Sequence, residues 1–123
     1  MPVDVLIVDD SAAIRKILQR VLALTNLPLG KVVEAADGRE AMEVIKQRTF
    51  GLILSDINMP NMDGLQLLRE IRSSEKWKHV PVVMISTEGS QTKVMEAVRL
   101  GAQGFVRKPF TADQIKEKLA GIL

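Results

Sequence analysis

The sequence predicts an α/β fold built on a parallel sheet with helices on both faces. Three observations carry that expectation. Short apolar runs recur five times, and segments with helical periodicity separate them. Runs such as Leu52-Ile53-Leu54 and Val82-Val83-Met84-Ile85 show no polar alternation, as expected of strands buried on both faces. Capping residues stand where the helical segments begin.

The first strand is expected over residues 3–8, V-D-V-L-I-V, ending at Asp9 and Asp10. Ile14, Ile17, Leu18, Val21 and Leu22 follow the i, i+3, i+4, i+7, i+8 rule and give the first helix an apolar stripe. Residues 31–35, around Val32-Val33, form the second strand. Asp37 with Glu40 has capping-box spacing, ahead of a helix carrying Ala41, Val44 and Ile45. Residues 51–55 are the third strand, and Leu65, Leu68 and Ile71 mark the third helix. Asp63 with Gln66 is a looser version of the capping signal there. Residues 81–86 form the fourth strand and Val94, Ala97 and Val98 the fourth helix, with Gly101 at the position of a left-handed C-cap. Residues 104–106 are the fifth strand. Thr111 and Gln114 again have capping-box spacing, before Ile115, Leu119 and Ile122. That helix runs to the last residue, so residues 1–123 are expected to be one domain with no output domain.

Composition removes whole classes of function. The 123 residues are 46% hydrophobic and 26% charged, enough for a genuine core. The net charge of +2 predicts neither a nucleic-acid nor a membrane partner. The absence of cysteine excludes disulfides, thiolate metal sites and cysteine catalysis, and the single His79 excludes a multi-histidine metal site. No apolar run reaches the roughly 20 residues of a membrane span. The N-terminus lacks signal-peptide features, so a soluble, cytoplasmic domain is expected. No dinucleotide or P-loop glycine motif is present. His79 is expected in a solvated loop and Trp77 as a partly exposed packing residue. Met42, Met84 and Met95 are expected as core gap-fillers, with Met59 and Met62 flanking the turn after Asp56.

In a parallel sheet the C-terminal ends of all strands share one edge, and ligands bind where the strand order reverses. That edge collects Asp9, Asp10, Asp56, Ser86 and Lys108. Each alone has an ordinary explanation as a cap, a turn residue or a solvated side chain. Together they do not. Three converging carboxylates repel one another and need a cation. An all-oxygen ligand set suits a hard ion such as Mg²⁺. A lysine and a hydroxyl on neighbouring strands complete a cage for phosphoryl oxygens. The residues point to Mg²⁺-dependent phosphoryl transfer with a carboxylate nucleophile.

Four segments then resemble a known family: D-D-S at residues 9–11, D-I-N-M-P-N-M-D-G at 56–64, I-S-T-E at 85–88 and K-P-F at 108–110. They are similar to the two-component receiver domain, and the nearest kind is the stand-alone chemotaxis, CheY-like type. The resemblance implies a flavodoxin-like, doubly wound (βα)5 fold with strand order 2-1-3-4-5. It implies Asp56 as phosphoacceptor from a sensor histidine kinase. Asp10, Asp56 and the Asn58 carbonyl are the implied Mg²⁺ ligands, with Asp9 acting through bound water. Lys108 is implied as the contact to phosphoryl oxygens, and its bond to Pro109 as cis. Ser86 and Phe105 are the implied switch pair, relaying phosphorylation to the surface of the fourth helix, fifth strand and fifth helix. The implied partners are the kinase, a downstream target such as the flagellar motor switch, and a phosphatase. The implied state before phosphorylation is a monomer, and the implied role is signalling rather than enzymatic turnover.

Departures bear on partners and kinetics. Phe105 stands where the best-known chemotaxis member has tyrosine, and Ile57 where it has tryptophan, so Trp77 is expected to report metal binding poorly. Thr87 adds bulk beside the switch hydroxyl. Asn58 and Glu88 match the chemotaxis type at positions that tune phosphoryl lifetime. Other readings are a receiver of a non-motility phosphorelay or a fragment of a DNA-binding regulator. An aspartyl-phosphate phosphohydrolase is disfavoured because Asn58 stands where it needs a second acid. A flavin carrier is disfavoured because Asp9 and Asp10 repel the flavin phosphate.

Overall fold

The computed structural model describes residues 2–123. Five strands alternate with five helices: β1 (Val3–Val8), α1 (Ala12–Ala23), β2 (Leu29–Ala35), α2 (Gly38–Gln47), β3 (Leu52–Ser55), α3 (Gly64–Arg72), β4 (Val82–Ser86), α4 (Gln91–Arg99), β5 (Gly104–Arg107) and α5 (Ala112–Ala120). All strand pairs are parallel and the order is β2-β1-β3-β4-β5. The chain therefore steps outward from β1 to β2, then crosses back to the other side for β3. That reversal opens a crevice between the C-terminal ends of β1 and β3.

Successive strand residues point to opposite faces, which divides the core in two. Leu6, Val8, Ile53, Val82 and Met84 pack under α2, α3 and α4, against Ala41, Ile45, Leu65, Leu68, Ile71 and Ala97. Val5, Ile7, Leu52, Leu54, Val83, Ile85 and Val106 pack under α1 and α5, against Leu18, Leu22, Ile115 and Leu119. Strands β3 and β4 are buried throughout, as their unbroken apolar runs require.

Several sequence expectations need correction. Strand β2 begins at Leu29 because that residue pairs with Val3, ahead of a register shift before Val5 meets Val32, and as an edge strand it leaves Val32 and Val33 only half-buried. Edge strand β5 extends to the exposed Arg107, and α5 stops at Ala120. Met95 is not a core residue: it is 52% exposed, and Val98 is 57% exposed on the same helix. Ile17 is also outside the core, because α1 has a neighbour on only part of its circumference. Trp77 is half-buried against the core and His79 is exposed, as expected.

The caps also differ in detail. Asp63 and Gln66 form a complete capping box, each side chain accepting the other residue's backbone N–H at 2.8 and 2.9 Å. Thr111 and Gln114 do the same at α5. At α2 only half the box forms: Asp37 accepts the Glu40 N–H, while its other oxygen accepts the Asn61 amide at 2.7 Å. Asn61 takes a positive φ of 66°, which asparagine tolerates better than most residues. Gly101 adopts the left-handed C-cap at φ 97°.

Gly64 couples α3 to the sheet edge. Its N–H donates to the Ile57 carbonyl at 2.7 Å. A Cβ there would overlap the Asp56 carbonyl oxygen and lie 2.8 Å from the Ile57 Cα. Neither neighbour is a flexible side chain, so the clash cannot relax locally. Gly64→Ala is expected to cost about 2–3 kcal/mol in denaturant unfolding, typical of overpacking. An Ala variant as stable as the parent would mean that α3 does not press on the Asp56 backbone.

Candidate functional site

The backbone delivers three acids to the crevice. The Asp9 N–H donates to the Ala35 carbonyl at 3.1 Å, and the Asp56 N–H to the Val8 carbonyl at 2.9 Å. These bonds carry the sheet pairing one residue past β1 and β3 and fix where both side chains start. Asp9 and Asp56 are buried, at 2% and 8% exposure, whereas Asp10 is exposed. Oxygens of Asp9, Asp10 and Asp56 all lie within 4.8 Å of one another.

Lys108 answers this charge. Its N–H donates to the Ser86 carbonyl at 3.0 Å, which ties it to β4, and its bond to Pro109 is cis. Its Nζ donates to Asp9 Oδ2 at 2.7 Å and Asp56 Oδ2 at 3.2 Å. The other carboxylate oxygens are held by backbone: Asp9 Oδ1 accepts the Ser11 N–H at 2.9 Å, and Asp56 Oδ1 accepts the Ile57 N–H at 2.7 Å. Burial opposes the Lys108 charge, but the bond to Asp9 and the field of Asp56 and Asp9 outweigh it, so its pKa is raised. Burial drives the Asp9 carboxyl above its usual range, against the opposing pull of Lys108 and the Ser11 N–H.

Ser86 lies fully buried at the end of β4, and its Oγ accepts the Glu88 N–H at 3.1 Å. Its hydroxyl makes no hydrogen bond to the acids or to the Lys108 ammonium among the described residues. Phe105 sits on β5, paired in register with Met84, and packs half-buried against the core beneath α2–α4. The Asn58 side chain turns to Glu88, whose Oε1 accepts its amide at 3.3 Å.

Two residues near the site were not singled out from sequence. Arg15 on α1 donates to the Asp9 carbonyl and, through Nε, to Glu34 at 2.9 Å, so it braces the strand end that carries Asp9. Lys93 on α4 pairs with Glu88 at 3.4 Å. Both look like ordinary surface cations in the sequence, but the β1–α1 turn brings Arg15 back to Asp9 and the first turn of α4 brings Lys93 back to Glu88.

The electrostatics predict a signed pH effect in metal-free protein. The folded state holds the Asp9 proton more tightly than an unfolded chain, so ionising Asp9 costs stability as pH rises through the carboxylate range. Lys108 limits that cost. In Lys108→Gln the Asp9 titration midpoint, read by carboxyl NMR, should therefore move further up. A midpoint that falls or stays in place would contradict the assigned pairing.

Comparison with known proteins agrees with this geometry. Residues 5–120 match the family model for the response regulator receiver domain. The chain is 41% identical over 115 residues to chemotaxis protein CheY-3 of Vibrio cholerae, covering 94% of this chain and 87% of that one. It is 39% identical over 118 residues to the chemotaxis protein CheY of Pseudomonas aeruginosa, covering 96% and 94%. The Vibrio cholerae response regulator CheY4 superposes with a TM-score of 0.88 at 35% identity, with both chains covered completely. A chain of the CheX–CheY–BeF3–Mg²⁺ complex from Borrelia burgdorferi superposes with a TM-score of 0.88 at 31% identity, covering 99% of this chain and 90% of that one. With the strand order, the acid cluster and these matches in agreement, this chain belongs to the response regulator receiver family, as a CheY-like signalling domain rather than a classical enzyme.

Proposed function

We propose that Asp56 accepts a phosphoryl group from a sensor histidine kinase, in a reaction that requires Mg²⁺. The observation that carries this reading is the buried Asp56 carboxylate, held by the Ile57 N–H and Lys108 at the strand-order reversal, beside two further acids. The donor set fits a hard divalent cation, since all three groups are carboxylates and neither cysteine nor histidine stands among them. Asp10, Asp56 and the Asn58 carbonyl would hold the ion, with Asp9 acting through bound water. When bound, Mg²⁺ supplies positive charge against the oxygens of the arriving phosphoryl group.

In the forward step an Asp56 oxygen attacks phosphorus. The P–N bond of the phosphohistidine breaks and its electron pair leaves on the imidazole nitrogen. Lys108, already bonded to Asp56, carries its ammonium to the new phosphoryl oxygens. Ser86 is equipped to follow. Its oxygen accepts the Glu88 N–H, which leaves its own proton free to donate to a phosphoryl oxygen. Phe105 then turns into the space the hydroxyl vacates, and the surface formed by α4, β5 and α5 changes. The phosphoryl group acts as a ligand that biases a two-state element. Reset occurs when water attacks phosphorus, the bond to the Asp56 oxygen breaks, and carboxylate and inorganic phosphate separate.

In this reading residues 1–123 are one cytoplasmic receiver domain, monomeric before phosphorylation, whose output is contact with a target protein. Resemblance to chemotaxis proteins supports the flagellar motor switch as that target. The Borrelia complex supports a CheX-type protein as a further partner, in the place of the phosphatase that the family resemblance implies. Incubation with acetyl phosphate and Mg²⁺ should add one labile phosphoryl group by intact-protein mass. Omitting Mg²⁺ or introducing Asp56→Asn should abolish the gain. An unlabelled wild type, or a labelled Asp56→Asn, would overturn the assignment.

A further inference from the structure

Asn58, Glu88 and Lys93 form a polar ring across the mouth of the crevice. Asn58 lies on the loop after β3, two residues beyond Asp56, and Glu88 on the loop after β4, two residues beyond Ser86. Lys93 belongs to the first turn of α4. Glu88 Oε1 accepts the Asn58 amide at 3.3 Å and faces Lys93 Nζ at 3.4 Å. Lys93 Nζ also donates to Asn58 Oδ1 at 3.5 Å. Glu88 Oε2 accepts the Ser90 N–H at 2.9 Å, and the Glu88 N–H rests on Ser86 Oγ. The ring thus joins the two loops that follow the acceptor and the switch hydroxyl.

Local helix chemistry does not account for Lys93. Ser90 is the N-cap of α4, and Lys93 occupies the position where a capping box places Glu or Gln. Both α3 and α5 have Gln there and complete the box. A cation in the first turn also faces the positive end of the helix dipole. A residue that breaks two local rules needs a compensating gain, and the one in view is Glu88. Without Lys93, a carboxylate would stand uncompensated on the path of an anionic phosphodonor.

We propose that Lys93 is a positioning residue for phosphoryl transfer: it holds Asn58 and Glu88 as a closed, charge-neutral rim through which the phosphodonor reaches Asp56. The inference rests on the reading of Asp56 as phosphoacceptor. The donor transfers its phosphoryl group to the Asp56 oxygen as before, and Lys93 changes only the field and shape of the approach.

The test is the rate of labelling in the full chain, with Mg²⁺, by acetyl phosphate (a dianion) and phosphoramidate (a monoanion). Lys93→Gln should slow the acetyl phosphate reaction about two- to fivefold at low salt, the range expected of a half-exposed pair. The defect should be smaller with phosphoramidate. It should also shrink between about 0.01 M and 1 M salt, as the screening length falls from about 30 to 3 Å. Lys93→Arg should restore the rate. In a Glu88→Gln background the ion pair that holds the rim is already gone, so adding Lys93→Gln should leave only the smaller, salt-screened effect of the lysine's own charge. A purely structural role for Lys93 would follow neither donor charge nor salt. If wild type takes label from neither donor, the reading of Asp56 fails and this inference with it. If wild type is labelled but Lys93→Gln matches it, or slows equally in the Glu88→Gln background, the rim is overturned while the phosphoacceptor stands.

Discussion

The bond from Lys108 to Asp9 and Asp56 is the constraint around which the working end of this domain is arranged. A parallel sheet sends every strand's C-terminal end to one edge, so placing acids after β1 and β3 forces their charges together. Burial at that edge disfavours ionisation, and mutual repulsion adds to it. A single ammonium just past the end of β5 opposes both effects without cancelling them at Asp9. Because it is shared between two carboxylates, it is also poised to be drawn away when a more strongly negative group arrives on one of them.

That arrangement demands a stiff platform. Every residue of β3 and β4 is buried, and the four C-terminal residues of β1 are as well. The acids therefore project from backbone that has little freedom to relieve their repulsion. Two contacts reinforce the platform from outside the sheet. Arg15 holds the Asp9 carbonyl from α1, and Gly64 lets α3 close onto the Asp56 carbonyl. Stability is concentrated beneath the site, and the strain of like charges is carried above it.

The sequence made the alternation of strands and helices legible, because short unbroken apolar runs differ from period-3.6 stripes. It also made the acid cluster legible, since the parallel-sheet rule converts strand ends into neighbours without coordinates. Burial was less legible at the periphery. Val32, Val33, Ile17, Met95 and Val98 are apolar residues in regular elements, yet edge position or the lack of a facing neighbour leaves them partly or largely exposed. Apolar patterning reports which face of an element turns inward, but not whether another element covers it. The partners of Arg15 and Lys93 were illegible for a related reason. A long basic side chain carries no pattern that says where it points, whether to a neighbour six residues away or to one 35 residues away.

The helices differ in how firmly they are anchored. Helix α3 buries five residues, including Leu67, Leu68 and Ile71, whereas α4 fully buries only Ala97. Polar ties at the surface add to it, such as Arg69 to Glu96 at 3.0 Å and Lys93 to the Glu88 rim. Elements held by few buried contacts sit at the low-stability end of a fold and respond first to a local change. The element nearest the rim of the acidic crevice is thus also one of those least committed to the core. In the proposed reading a new charge at Asp56 would act first on Lys108, Ser86 and the Glu88 loop, its nearest polar neighbours. Through that loop it would reach α4, the helix with the least buried surface holding it in place.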